Sequence, residues 1–239
     1  MKMSLTNFRK TFIYLEYVIY SILLFLLMQL GLWQLHRADE KQTILKQYHQ
    51  MMKSPEKIWQ AGDLEPMAFQ RILVDGSTLP LRFYLDNQFY EHRIGYDVLI
   101  PVQLADDSIL MVDAGWVLAS TDRQVLPRPK LAFKKNNWRG QVYVPPMHPI
   151  QLGRFMDHQQ NQLYVIESLD FAELEKILKH PIHHWVLRLN PENNSAFQRK
   201  WQIINVAPQR HKAYALQWFT MALVVVVIFL WRVIHHAKK

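Results

Sequence analysis

Gln29, Trp33, His36 and Arg37 recur at i, i+4, i+7 and i+8, so a helix would carry them on one face. His211, Tyr214 and Trp218 recur at i, i+3 and i+7, again one helical face, with Gln217 alongside and Arg210 and Lys212 flanking. These side chains suit one kind of ligand. Neutral imidazole is an axial ligand for haem iron. Indole and phenol rings pack on a macrocycle, and the guanidinium of Arg37 or Arg210 pairs well with propionates. The set could therefore hold a tetrapyrrole. The same residue types also form ordinary aromatic belts where helices leave a bilayer. On spacing alone the belt is the simpler reading, because interfacial Trp and Tyr need no ligand.

Other chemistry finds less support. His180, His183 and His184 stand close together, but Pro181 separates them and no carboxylate lies at ligand spacing, so a loop cluster is expected rather than a metal site. Asp86 and Asp113 fall on predicted strands, where alternation turns them outward. There is no nucleophile elbow, phosphate-binding loop, dinucleotide fingerprint or zinc-protease helix. The chain has no cysteine, which excludes a disulfide scaffold, a thiolate metal centre and a cysteine nucleophile.

The candidate residues sit at the ends of two apolar runs. Residues 17–35 and 213–231 are each 19 residues without a charge. As helices they would be about 28 Å long, matched to a hydrocarbon core of about 30 Å. Gln29 and Gln217 lie inside these runs, and a buried amide without a partner costs about 1–3 kcal/mol. Each is therefore expected to face a helix or a ligand rather than lipid. Residues 1–16 carry Lys2, Arg9 and Lys10; residues 232–239 carry Arg232, Lys238 and Lys239, with His235 and His236. Both short basic tails predict a cytoplasmic side for the two termini. Residues 36–212 would then be translocated. They hold 22 of the 28 Lys plus Arg and 19 of the 20 Asp plus Glu, leaving most of the net +8 at the membrane ends. The basic balance marks topology, and no nucleic-acid partner is expected. Tails without a long presequence point to a bacterial inner membrane.

Within residues 36–212, the stripe Ile44, Leu45, Tyr48 and Met52 predicts that the first helix continues until Ser54-Pro55. Strands are expected at 70–75, 79–87, 96–104, 109–117, 138–144, 163–167, 184–190 and 201–206. The 96–104 and 109–117 pair reads as a hairpin with one wet side, and Pro101 as an edge or bulge position. Residues 170–179 predict a helix capped by Asp170 and Glu173, with Phe171, Leu174, Ile177 and Leu178 buried. Residues 121–137, with Pro127, Pro129 and several basic side chains, predict a surface connection. The expected protein is an α+β membrane protein. Two terminal transmembrane helices flank one mostly antiparallel β domain, closed as a barrel or a sandwich, on the extracytoplasmic side.

Four motifs then come together. Residues 30–37 with Lys41 close the first run; Asn87 precedes Gly95-Tyr96-Asp97-Val98-Leu99-Ile100-Pro101; Met111-Val112-Asp113-Ala114-Gly115-Trp116-Val117 follows; and Trp201 and Pro208 lead to residues 211–219. In this order they resemble the Surfeit-locus-one family of cytochrome c oxidase assembly factors, over nearly the whole chain. The resemblance implies a non-enzymatic role in maturing a haem-copper oxidase: binding haem a and passing it from haem A synthase to subunit I. It implies His211 as the iron ligand, with Trp33, Arg37, Tyr214, Trp218, Arg210 and Gln217 around the cargo. A scaffold that holds subunit I intermediates without haem is the alternative. The family commonly has Arg before the Gly-Trp pair; here Ala114 stands there, so no role passes to that position.

Overall fold

The computed structural model describes residues 5–122, 125–129, 137–146, 155–160, 162–192 and 196–237. Lys2, Lys238 and Lys239 lie outside them, as does the basic part of the 121–137 connection at Arg123, Lys130, Lys134 and Lys135. The side chains of Arg9, Lys10 and His236 also fall outside the description. The chain divides into two units, one of residues 1–46 with 203–239 and one of residues 47–202.

The first unit is a pair of helices. Helix α1 (Leu5–Lys53) is a single helix of 49 residues, and Ser54-Pro55 follows its last turn as the sequence predicts. The chain's third helix, α3 (Pro208–Ala237), has 30 residues and opens with proline at its first position, where the missing N–H costs nothing. Both helices are long and apolar enough to cross a membrane. Buried positions on α1 fall at Leu27, Gly31 and Ala38, and on α3 at Ala215 and Ala222. Apart from Leu27 these residues are small, which lets the backbones approach closely. The ring of Phe219 occupies the space that a side chain at Gly31 would need. The outward faces expose Val18, Ile22, Leu26, Leu223 and Val227. So much apolar surface facing out suits lipid, not water.

The second unit is built on one sheet. Its strands are β1 (Lys57–Ile58), β2 (Arg71–Asp75), β3 (Ser77–Thr78), β4 (Arg82–Tyr90), β5 (Arg93–Gln103), β6 (Ile109–Leu118), β7 (Asn137–Tyr143), β8 (Met156–Gln160), β9 (Leu163–Ile166) and β10 (Ile182–Leu189), with α2 (Phe171–Leu178) between the last two. The order is β1-β2-β7-β10-β6-β5-β4-β9-β8, with β3 beside β5. The sheet is mixed. Its antiparallel hairpins are joined by parallel pairs β1–β2, β6–β10 and β4–β9.

Connectivity forces this sheet to curl. Four strand spacings separate β2 from β5, about 19 Å in a flat sheet. Yet only Gly76 lies between the end of β2 and the start of β3, and Ser77 in β3 is already paired with Gln103 in β5. Two Cα steps span about 7 Å. The β2 end must therefore meet β5, which closes the strands into a barrel and excludes the sandwich. Gly76 sits at that corner because a Cβ there would come within 2.5 Å of Val102 and 2.7 Å of the Gln103 carbonyl.

Two cores follow from the two faces. Inside lie Ile72, Tyr84, Val98, Val112, Val142 and Trp185 with their neighbours. Outside, Phe83, Leu99, Met111 and Val186 pack under α2 through Leu174 and Leu178. The β5–β6 hairpin is thus covered on both sides, and β6 is buried along all but its last residue. The expectation of one wet face fails because α2 covers it. Asp170 caps α2 by accepting from the Ala172 and Glu173 N–H groups. Glu173 pairs with Lys176, so the cap is one-sided.

Several strand assignments change. Residues 201–206 form no strand; Trp201 instead donates its indole N–H to the Leu189 carbonyl. Pro101 is in a central strand, at the place where the neighbour of β5 changes from β4 to the β3 segment, and its carbonyl accepts from Leu79 N–H at 3.0 Å. His183 lies in β10 rather than in a loop, next to His184, which is in the strand expected at 184–190.

Candidate functional site

In the helix pair, α1 and α3 run antiparallel and meet at two polar contacts. Near one end, Arg232 pairs with Glu16 at 2.5 Å. Near the other, His211 Nδ1 lies 2.7 Å from Gln34 Oε1. An amide oxygen only accepts, so Nδ1 carries the ring proton and Nε2 keeps its lone pair. Nε2 is buried and, among the described residues, has no hydrogen-bond partner. A fixed tautomer with one shielded, free nitrogen is the state in which imidazole binds a metal.

By helical geometry the other predicted residues fall on a shared side of this contact. At about 100° per residue, Trp33 and Arg37 lie roughly 100° and 60° to one side of Gln34. Because α3 runs the opposite way, Arg210, Tyr214 and Gln217 fall on that same side of His211, and Trp218 lies near the seam. Trp33 and Tyr214 are about half exposed (53% and 49%), leaving ring faces free for a ligand. Arg37 is engaged by Glu40 at 2.7 Å, and His36 by the same carboxylate at 3.1 Å. Gln29 and Gln217 are exposed rather than turned to the neighbouring helix. The amide that does face α3 is Gln34, which sequence reasoning passed over because it stands at the border of the apolar run.

The histidines of β10 do not converge. His183 packs edge-on against Trp59 at 5.1 Å, whereas His184 stacks on Phe171 at 5.1 Å. Adjacent strand residues point to opposite faces, so they cannot share an ion. His183 Nε2 does meet Ser108 Oγ at 2.9 Å. However, Ser108 donates its hydroxyl to Asp106 at 2.5 Å, which leaves His183 as the donor. A serine nucleophile needs the reverse. Burial also lowers the pKa of His183, and the Ser108 hydrogen bond lowers that of Asp106.

A second polar constellation, unforeseen in the sequence, lies outside the barrel. Asp113 does point outward, as alternation predicts, but it is buried at 3% exposure. Its Oδ2 is 3.7 Å from Arg188 Nε, and its Oδ1 accepts the Gly115 N–H at 3.0 Å. The reason is a bulge. Leu99 pairs with Asp113 and Asp97 with Trp116, so β6 spends three residues where β5 spends two. Gly115 takes φ +118° within it. Past the bulge the alternation shifts, and Val117 rather than Trp116 enters the inner core. Trp116 donates instead to the Gln88 carbonyl at 3.1 Å and packs on Tyr90. Ala114 is fully buried, and its carbonyl accepts from Arg199 Nε at 2.8 Å.

Comparison with known proteins agrees with this layout. Residues 21–223 match the SURF1 family. A SURF1-like protein of Rickettsia conorii is 22% identical over 90% of this chain and 88% of its own length. One of Rickettsia felis is 23% identical over 85% and 90%. A SURF1-like protein of Dictyostelium discoideum is 27% identical over 47% and 48%. The matched span takes in every motif that carried the resemblance, from Trp33-Arg37 through the Gly115-Trp116 bulge to His211. Two apolar helices around a mixed-sheet domain, with those motifs at the helix ends and the bulge, place the chain in the SURF1 family, a family of cytochrome oxidase assembly factors.

Proposed function

We propose that this chain is a membrane-anchored chaperone that carries haem a from haem A synthase to subunit I of a haem-copper oxidase. The carrying observation is His211, whose Nδ1 is held by Gln34 and whose Nε2 is buried and unpartnered. A buried nitrogen of this kind costs free energy until something binds it. Haem iron suits it, since the iron takes an imidazole lone pair when bound. Trp33, Tyr214 and Trp218 offer ring faces to the macrocycle. Arg210, and Arg37 once it leaves Glu40, offer guanidinium groups to its propionates. The helices sit in the inner membrane with both termini cytoplasmic and the sheet domain outside. The family membership supports the assembly role, and the exposed apolar faces of α1 and α3 support the membrane.

Protein purified from haem-A-producing cells is expected to show a Soret band that weakens strongly in His211→Ala. An unchanged spectrum removes His211 as the ligand. If wild-type protein co-purifies with the oxidase but carries no haem, a haem-independent scaffold for subunit I replaces this reading.

A further inference from the structure

The outer face of the barrel changes character along its strands. Beyond Leu99, Met111 and Val186 the apolar core under α2 gives way to a cavity of about 240 Å³. Asp97, Asp113, Tyr143, Glu167, Ser168 and Arg188 line it. Arg188 cannot move freely there. Its guanidinium lies 3.5 Å over the Tyr143 ring and 5.0 Å from the Trp201 ring. Among the described residues its Nε is buried without a hydrogen bond, with Asp113 at 3.7 Å. Two carboxyl groups, Asp97 and Asp113, therefore face one immobilised cation. Like-charged carboxylates that share a buried site do not both ionise readily.

We propose that Asp97 and Asp113 form a one-proton switch on the outer wall of the barrel. With the proton bound, the pair is closed over Arg188. When Asp97 loses that proton, the cost of burying its new charge turns Asp97, the less buried of the two, out to solvent and loosens the β6 bulge at residues 113–117. The link to the bulge is direct, because the Asp113 carboxyl accepts the Gly115 N–H that shapes it. The groups facing the pair are Arg188 from β10, Tyr143 from β7, Glu167 after β9, and Arg199, whose charge also acts on Asp113. From β4 come only uncharged Leu85 and Gln88.

Burial, opposed by Arg188, pushes Asp97 up to about 6. Burial first, then the Asp97 charge, pushes Asp113 well above the carboxylate range, against Arg188, the Gly115 N–H and Arg199. The folded state thus binds protons more tightly than the unfolded chain. The associated stability is complete below the ordinary carboxyl pKa of about 4 and is lost as pH rises through the folded value.

The test uses the full chain in lipid nanodiscs. Infrared difference spectra should show a protonated carboxylic acid lost with a midpoint near 6, and Asp97→Asn should abolish that signal. Over the same interval, hydrogen exchange of a peptide spanning 113–117, corrected for intrinsic rates, should accelerate several-fold in wild type and stay flat in the variant. If Asp97→Asn does not fold, Asp113→Asn, which keeps the acceptor for Gly115, takes its place. An infrared signal indifferent to both substitutions overturns the proposal. So does a titrating pair that leaves exchange at the bulge unchanged.

Discussion

A histidine offers a metal only the ring nitrogen whose lone pair is free, and at His211 that choice falls to Gln34. Replacing Gln34 with leucine removes the acceptor, lets the tautomers exchange and frees the ring to turn. Haem affinity in Gln34→Leu should fall about tenfold, the effect typical of losing such a partner. Haem titration of detergent-purified protein reads this, and an unchanged affinity would separate the amide from the ligand's orientation. The resemblance points to His211, and the apolar runs point to Gln29 and Gln217 as the amides that face a helix or a ligand. Hydropathy marks a polar residue inside an apolar run. Which side of the helix meets its neighbour depends on how the two helices pack, and that choice brought Gln34 inward. Asp113, which points outward as expected and is nonetheless buried, shows a related limit. Strand alternation fixes the face a residue points to, but not whether another element covers that face.

At the scale of elements, segments with a repeating apolar pattern were legible, down to the four residues of β9, and the two-residue strands were not. Helix α1 through Ser54-Pro55, the cap of α2 at Asp170 and the β5–β6 hairpin all follow from patterns of apolar spacing. Strands β1 and β3 have two residues each and carry no period to find. The bulge at Gly115 escaped because one extra residue reverses the alternation after it, so that Val117 rather than Trp116 enters the inner core. In the helix pair, Gly31 leaves little room for a side chain, since the Phe219 ring fills the space beside it. Because the chain has no cysteine, a Gln34→Cys, His211→Cys variant can be joined by a short bis-maleimide. Adding Gly31→Leu should cut the cross-linked yield several-fold. An equal yield would mean that the helices tolerate the side chain by shifting.

For the whole molecule, the antiparallel helices require the two tails to lie on one side of any membrane they cross. Single cysteines introduced at Lys2 and at Lys239 should therefore label from the same side of oriented vesicles; opposite labelling would contradict the Glu16–Arg232 and Gln34–His211 contacts. The barrel was legible as one of two alternatives. It was decided by something no local pattern contains, the single residue joining β2 to a strand paired with β5. Parallel pairing was likewise hidden, because β6 and β10 are some seventy residues apart in the chain and no turn announces their meeting.

That pairing has a consequence for how the protein is made. Strand β10 is the last to leave the ribosome, yet it sits between β7 and β6, in the middle of the wall. Until it arrives, the two strands beside its place present open edges that invite the wrong neighbour. A polypeptide ending before Ile182 should accordingly aggregate or be degraded rather than persist as a smaller domain, and only a nearly finished chain can mature.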